Sequence, residues 1–263
     1  YPFQGKPGWN LVTGMADGYA RIQGKPAVTL MHLGTGFSNG MANLHNARRA
    51  MSPVVNIVGD HSTQHKRWDS PLKSDVAAIA RPMSDWLRMS DSAHTVSADG
   101  AQAFAAASNP PGQIATLILP ADVAWGTTSG YCPPQPAPVA APPDEQAIGR
   151  VAGILRERGR GSVILARAAG GEMRGLRALE RICRHTGARP MIDMVAARTW
   201  RGAGLYPLAR IPYRAEAAVA ALQGISDLIL VGTHPPVAPF AYPQYPSWLT
   251  PENATLTYLA HAH

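Results

Sequence analysis

Cysteine, lysine and long apolar runs are scarce in this sequence, and each shortage excludes a class of protein. Only two of the 263 residues are cysteines, Cys132 and Cys183, and their wide separation suits neither a disulfide framework nor a metal-binding motif. No apolar stretch approaches the roughly 18 residues that a membrane-spanning helix needs. We therefore expect reduced thiols, no metal site, no membrane partner and a cytoplasmic location.

Charge is also low, at 16% of residues, and the formal net charge of +7 comes almost entirely from arginine. A nucleic-acid-binding protein usually clusters its basic residues with aromatic ones. Here the basic residues are spread along the chain, so we expect no nucleic-acid partner. The apolar content of 46% is typical of a folded globular protein.

Proline is concentrated at one place. Residues 129–143 contain six prolines in fifteen positions, a composition that excludes a helix or a central strand. This segment predicts a linker between a first domain at 1–128 and a second at 144–263.

On both sides of the linker, short apolar runs alternate with segments of helical periodicity. This pattern predicts two α/β domains, each a doubly wound parallel sheet, because parallel strands are covered on both faces. Asp75 is positioned to cap a helix. The predicted helices lie at 9–22, 37–51, near 72–84, at 97–108, 144–158, 172–186 and 213–222, and the predicted strands at 27–33, 54–60, 115–122, 162–166, 189–194, 226–232 and 254–260.

The segment "MHLGTGFSNG", residues 31–40, places three glycines between a strand and a helix. Gly34 and Gly36 match the first two glycines of G-x-G-x-x-G, whereas the third position is Asn39. Asp60 ends the following strand, where a ribose-binding carboxylate would lie. A nucleotide-binding loop and a position of tight packing both remain open on these residues alone.

Several motifs occur in register around these glycines. A helix with A-D-G-Y-A-R precedes a Gly-Lys-Pro turn, a strand, the glycine segment and a strand ending in Gly-Asp. This order resembles the pyrimidine-binding domain of thiamine-diphosphate-dependent enzymes. The strings "NLHNARRA", "SPVVNIVGDH", "PPGQIATLILPAD" and "RGAG" resemble acetolactate synthase large subunits in particular. The resemblance covers nearly all of residues 11–260 and implies a pyrimidine-binding domain followed by a central domain.

The resemblance also implies parts that the 263 residues lack. Enzymes of this family hold the cofactor's diphosphate through Mg²⁺ in a C-terminal domain that carries Gly-Asp-Gly, and no Gly-Asp-Gly occurs here. The chain begins with Tyr1 and not with methionine. The resemblance implies a fragment whose second domain, 144–263, is truncated near its C-terminal end and which binds thiamine diphosphate and Mg²⁺ only within a complete enzyme.

The resemblance assigns roles to individual residues. In the family, a glutamate before A-D-G-Y-A-R binds N1′ of the aminopyrimidine, and Trp9 stands at that position here. His32 matches a catalytic histidine of benzoylformate decarboxylase and would act as an acid or base, unless a backbone hydrogen bond holds it beneath the loop.

Five further residues would surround the cofactor. The resemblance implies that Gly34, Gly36 and Asn39 shape a loop near the pyrimidine, and that Asp60 and His61 border the active-site cleft. Asp60 could equally cap the segment after it.

The second domain resembles the central domain that carries a flavin in acetolactate synthases. Two features associated with that flavin are replaced here, by "RGAG" and by "HPPVAPFAYP", while "AAGG" at 168–171 keeps some of the loop. We do not expect flavin.

The resemblance implies an acetolactate-synthase-like enzyme that decarboxylates or ligates 2-keto acids and works as a homo-oligomer or with a complete homologous subunit. We expect this chain to be inactive when isolated. One alternative is a non-catalytic subunit or scaffold that pairs with a complete enzyme, and another is an NAD-dependent dehydrogenase.

Overall fold

The computed structural model describes residues 8–136, 139, 141–142 and 144–261, which form two compact units that meet at residues 140 and 141. Unit 1 runs to residue 140 and unit 2 begins at residue 141. Positions 137, 138, 140 and 143 of the predicted linker lie outside the described residues.

Unit 1 is a parallel four-stranded sheet with helices on both faces. One core packs the first two helices, Trp9–Gln23 and Leu33–Ala50, against Met31 and Val58 of the sheet, and a smaller core packs the helix Val96–Ala107 on the opposite face against Leu117. The strands are β1 (Ala27–His32), β2 (Val54–Asp60), β3 (Trp86–Met89) and β4 (Ile114–Pro120), in the spatial order β1-β2-β4-β3. The helices are α1 (Trp9–Gln23), α2 (Leu33–Ala50), α3 (Val76–Ala80), α4 (Val96–Ala107) and α5 (Ala121–Trp125).

Unit 2 is a parallel five-stranded sheet, again with helices on both faces. The strands are β5 (Ser162–Ala166), β6 (Arg189–Ile192), β7 (Ala209–Arg210), β8 (Asp227–Val231) and β9 (Thr255–Ala260), in the spatial order β7-β6-β5-β8-β9. The helices are α6 (Glu145–Arg158), α7 (Met173–Thr186) and α8 (Ala215–Leu222). Helices α6 and α7 pack on one face of the sheet and α8 packs on the other. The prediction of two parallel-sheet α/β domains is therefore confirmed.

A row of buried polar side chains crosses the sheet of unit 1. Thr29, Asn56 and Thr116 lie opposite one another on β1, β2 and β4. The Thr29 hydroxyl donates to Asn56 Oδ1 at 2.8 Å, and Asn56 Nδ2 donates to Thr116 Oγ1 at 3.2 Å. The Ser84 hydroxyl lies 2.7 Å from that of Thr116. This row aligns the three strands, because a shift of register would leave buried polar groups without partners.

The structure contains two short elements that were not predicted, α5 and β7, and differs from the predicted elements in three further places. The helix expected near 72–84 is limited to α3 and a 3-10 turn, Arg81–Met83. The capping prediction for Asp75 is confirmed, since its carboxylate accepts the Ala78 N–H at 2.9 Å. Strand β3 was not predicted, because it is short, lies at the sheet edge and is interrupted by Arg88, whose guanidinium pairs with Asp99 at 2.9 Å. The third difference is the start of α2 at Leu33.

Candidate functional site

The carboxyl edge of the sheet in unit 1 brings together several of the predicted site residues. His32 ends β1 and lies opposite Gly59 of β2, and Asp60 ends β2 opposite Pro120 of β4. Ligands of open α/β sheets bind in the crevice at the carboxyl ends of the strands. His32, Asp60 and His61 are therefore on the edge where a binding site is expected.

The chain turns sharply directly after His32. Leu33 has a φ of +53°, in the left-handed region that side chains with a Cβ rarely adopt, and it is nonetheless buried. Such a conformation costs on the order of 1 kcal/mol and persists only where packing enforces it. The turn presents the His32 side chain to solvent. The His32 side chain takes part in none of the hydrogen bonds found in the described part of the chain, and its exposure does not support the alternative of a histidine held beneath a loop.

The predicted glycine loop is wrong, because residues 33–40 form the first turns of α2. A Cβ on Gly34 would overlap the Ser74 hydroxyl, and one on Gly40 would lie 2.8 Å from Thr13 Cγ2. The glycines therefore allow α2 to contact α1 and the segment before α3 closely. Asn39 is exposed, and its amide donates to the Thr35 carbonyl at 2.9 Å within the helix. A role for these residues in holding a cofactor stays a prediction.

Trp9 also lies at this edge, and the sequence did not predict which residues it contacts. It begins α1, is half-buried and packs against the core of unit 1. A Cβ on Gly36 would lie 3.3 Å from the Trp9 ring and 3.4 Å from the Cβ of His32. An indole therefore lies beside Gly36 and His32. The Trp9 ring packs here because Gly36 has no side chain. The sequence could not predict this contact, since the two residues are 27 positions apart.

Asp60 is the buried centre of a polar cluster. Its carboxylate pairs with Lys66 Nζ at 2.7 Å and accepts the His61 N–H at 2.8 Å. His61 Nε2 lies 3.2 Å from the Ser70 hydroxyl, and the rings of His61 and His65 are 5.1 Å apart. The cluster contains both predicted residues, whereas no signal in the sequence identified Lys66, Ser70 and His65.

A neighbouring hydrogen bond fixes the segment that carries this cluster. Asp122 of α5 accepts bonds from the backbone N–H of Thr63, at 3.0 Å, and from its hydroxyl. Both bonds stabilise the carboxylate and so lower the pKa of Asp122 below its ordinary value, and the bond from the Thr63 hydroxyl has the larger effect. The segment after β2 is thereby tied to the segment after β4.

These residues do not by themselves form a complete site for thiamine diphosphate. Trp9 offers no carboxylate to the aminopyrimidine, and its ring covers Gly36. Among the described residues, no group of three or more His, Cys, Asp or Glu side chains is placed to hold a metal ion. The edge therefore offers an exposed imidazole and a buried Asp60 carboxylate paired with the half-buried Lys66.

The carboxyl edge in unit 2 is closed by side chains of the same unit. Arg167 follows β5, is buried and lies 3.6 Å from the Asp193 carboxylate, which follows β6. The Thr233 hydroxyl also donates to Asp193. These three side chains meet where the sheet order places β5 beside β8, which is the position where a doubly wound sheet would bind a dinucleotide.

The sequence of this chain is similar to that of known proteins. Residues 10–79 match the family model described as the thiamine pyrophosphate enzyme, N-terminal TPP binding domain. No helix within the described ranges is both long and apolar enough to cross a membrane.

Two relatives and one solved structure illustrate the similarity. An acetolactate synthase large subunit homologue of Mycobacterium tuberculosis, IlvX, is 47% identical over 95% of this chain and 48% of its own length. Benzoylformate decarboxylase of Pseudomonas aeruginosa is 33% identical over 42% of this chain and 21% of its own. An X-ray structure from Mycobacterium smegmatis, assigned as a thiamin diphosphate-dependent enzyme, superposes with a TM-score of 0.77 at 24% identity, over 95% of this chain and 48% of that one. The chain thus spans about half the length of the first relative and of that solved structure.

Proposed function

We propose, on the premise that this chain is a relative of the thiamine-diphosphate-dependent enzymes of the acetolactate synthase large-subunit type, that it contributes the pyrimidine side of an active site for 2-keto acids. The reaction class is decarboxylation or carboligation. When bound, the cofactor supplies carbanion chemistry at the keto carbon, and the protein orients the reactants and excludes water.

The single observation that carries the proposal is the geometry of the edge in unit 1. His32 is presented to solvent at the end of β1, beside the Trp9 ring. An imidazole in that position can hold or deliver a proton to a bound keto acid. Trp9 cannot perform the carboxylate's part, and the 263 residues contain no Gly-Asp-Gly. We therefore infer that these 263 residues are inactive by themselves and that residues outside them supply both the activating carboxylate and the diphosphate ligands.

The first test is turnover by the isolated chain. With thiamine diphosphate and Mg²⁺ present, we expect no release of CO₂ from pyruvate or benzoylformate, because both the activating carboxylate and the diphosphate ligands are lacking. The matched variant Trp9→Glu should also be inactive alone. Sustained CO₂ release by the unmodified chain would refute this proposal.

A complementation assay then tests the pyrimidine side. The partner is a complete acetolactate synthase large subunit whose own activating glutamate has been replaced. Mixed with the Trp9→Glu chain it should regain turnover, and mixed with the unmodified chain it should not. Failure of both mixtures despite co-purification would favour the second candidate function.

That second candidate is a non-catalytic subunit, or scaffold, that pairs with a complete enzyme of the family. The packing of Trp9 on Gly36 favours it, because the indole stabilises the contact of α1 with α2 where a catalytic group would stand. In this case the chain should co-purify with the complete subunit and leave its turnover per active site unchanged.

An exposed apolar stripe on α1 supports association with a second copy or with a homologous subunit. Leu11, Met15, Tyr19 and Ile22 recur at helical spacing and are 48–63% exposed. Contiguous apolar surface of this kind marks interaction sites. We propose that this stripe is the subunit contact.

Tyr19→Asp is expected to shift the chain from dimer to monomer in sedimentation velocity at micromolar concentration, because a carboxylate would be buried without a partner. Trp125→Asp is the control, since Trp125 is 79% exposed and lies outside α1. An unmodified chain that sediments as a monomer at every concentration would contradict the proposal.

We further propose that unit 2 carries no flavin and that the dehydrogenase alternative does not apply. The Arg167–Asp193 pair and Thr233 occupy the crevice that a dinucleotide would need. Neither FAD nor NAD is expected to raise the melting temperature in a thermal-shift titration, whereas a saturable rise with either would reverse this assignment.

A further inference from the structure

A large groove lies on the face of unit 2 that carries α6 and α7. It has a volume of about 1200 Å³, and its floor is formed by buried aliphatic side chains of the sheet, Ile164, Ala166 and Ile229. Its walls are the two helices. None of these side chains belongs to the candidate sites described above at the carboxyl edges of the two sheets. We call this feature the α6/α7 groove.

Each wall presents an apolar stripe to the groove. The lining residues recur at i, i+3, i+4 and i+7 on both helices. Several of them have small side chains, which leave space between the two helices. Ile148 and Ile182, near the groove mouth, remain 39% and 38% exposed. The stripes consist of Ile148, Val151, Ala152 and Leu155 on α6 and Gly175, Ala178, Leu179 and Ile182 on α7.

The rim of the groove is basic. Arg156, Arg174 and Arg181 all line it, and within the described residues none of the three has a carboxylate at ion-pair distance. The one acidic side chain of the lining, Glu172, is already paired with Arg198 at 3.1 Å. Arg174 and Arg181 are seven residues apart on α7, which separates them by roughly 10 Å along the helix axis.

We propose that the α6/α7 groove receives an amphipathic α-helix of an acidic polypeptide. Its apolar stripe would lie between the walls, against Ile148, Ala178 and Ile182, and its flanking carboxylates would face the three arginines. Two walls with stripes at helical spacing match the ridges of a third helix. The volume exceeds that of most small-molecule pockets, which are about 300–1,000 Å³. A single fatty-acid carboxylate could not engage arginines spread along the rim, whereas a helix carries a carboxylate on every turn.

The test uses the full chain and two labelled peptides in fluorescence anisotropy. Both peptides are capped 16-residue helices with leucine and alanine on one face, and they differ only in carrying glutamate or lysine at the flanking positions. We expect saturable binding of the glutamate peptide, and binding at least tenfold weaker for the lysine peptide. Equal binding of the two peptides, or no saturable binding of either, would overturn the proposal.

Three variants locate the binding. Ala178→Trp fills the groove and should abolish binding of the glutamate peptide. The double variant R174E/R181E should invert the preference between the two peptides. Arg177→Glu changes an exposed residue of α7 that does not line the groove, and it should preserve the preference. Circular dichroism and urea midpoints equal to those of the unmodified chain confirm that each variant is folded.

Two other occupants would contradict the proposal if they appeared. Dodecanoate that displaced the glutamate peptide and itself bound saturably would assign the groove to a lipid. Self-association of the unmodified chain that Ala178→Trp removed, with Tyr19→Asp leaving it unchanged, would assign the groove to a second copy.

Discussion

Phe37→Ala is expected to lower the free energy of unfolding of unit 1 by about 3–5 kcal/mol, the range for truncating a fully buried aromatic side chain. Phe37 has 0% exposure and lies in the core between α2, α1 and the sheet. The lost ring would leave a cavity that neighbouring helix backbone cannot fill by relaxing. Loss of this side chain also loosens α2, whose first turn follows His32.

Urea unfolding followed by tryptophan fluorescence measures this effect, because Trp9 and Trp86 pack on the two cores of unit 1. Phe104→Ala is the matched control, since Phe104 is 43% exposed on α4 and its truncation should cost less than about 1 kcal/mol. Equal shifts for the two variants would show that the Phe37 ring does not contribute as its burial implies.

Asn56→Ala should have the second largest effect, a loss of about 2–4 kcal/mol. Asn56 has 0% exposure and bridges Thr29 and Thr116 in the polar row across the sheet. Its removal leaves buried hydroxyl groups with fewer partners, each at a cost of about 1–3 kcal/mol, and opens a small cavity as well.

The same urea experiment measures this loss, with Asn39→Ala as the control. Asn39 is exposed, and its amide bonds only within its own helix, so its replacement should change the midpoint little. The triple variant with Thr29→Val, Asn56→Leu and Thr116→Val removes all three polar groups of the row. It should be more stable than Asn56→Ala, because it leaves fewer unsatisfied groups. A triple variant less stable than Asn56→Ala would mean that packing, and not hydrogen bonding, determines the effect at this position.

Much of the strand and helix order was predictable from the apolar runs. Strands such as "VVNIVGD" and "SVILA" are buried on both faces, and their composition is sufficient to identify them. The edge strand β3 could not be predicted in this way, because an edge strand needs fewer apolar residues and Arg88 interrupts its apolar run. The match over residues 10–79 confirmed the resemblance that the motifs indicated.

The candidate site was less predictable than the fold. The resemblance indicated His32, Asp60 and His61, Asp60 was also noted for its place at a strand end, and the structure puts all three on one edge. The partners of Asp60 and His61 come from the segment after β2, where Lys66 and Ser70 have no characteristic spacing. Such pairs depend on how a loop folds back, which local sequence patterns do not encode.

The amino-acid sequence by itself determined the α/β class and the order of the buried strands. These follow from composition, periodicity and residue identity, all of which are local. Only the tertiary structure decided that Gly34 and Gly36 belong to a helix. Glycine is a poor helix former in isolation, and here close contacts with Ser74 and Trp9 outweigh that preference. It likewise decided that Leu33 adopts a strained conformation, since only burial in a finished core can hold a side chain there.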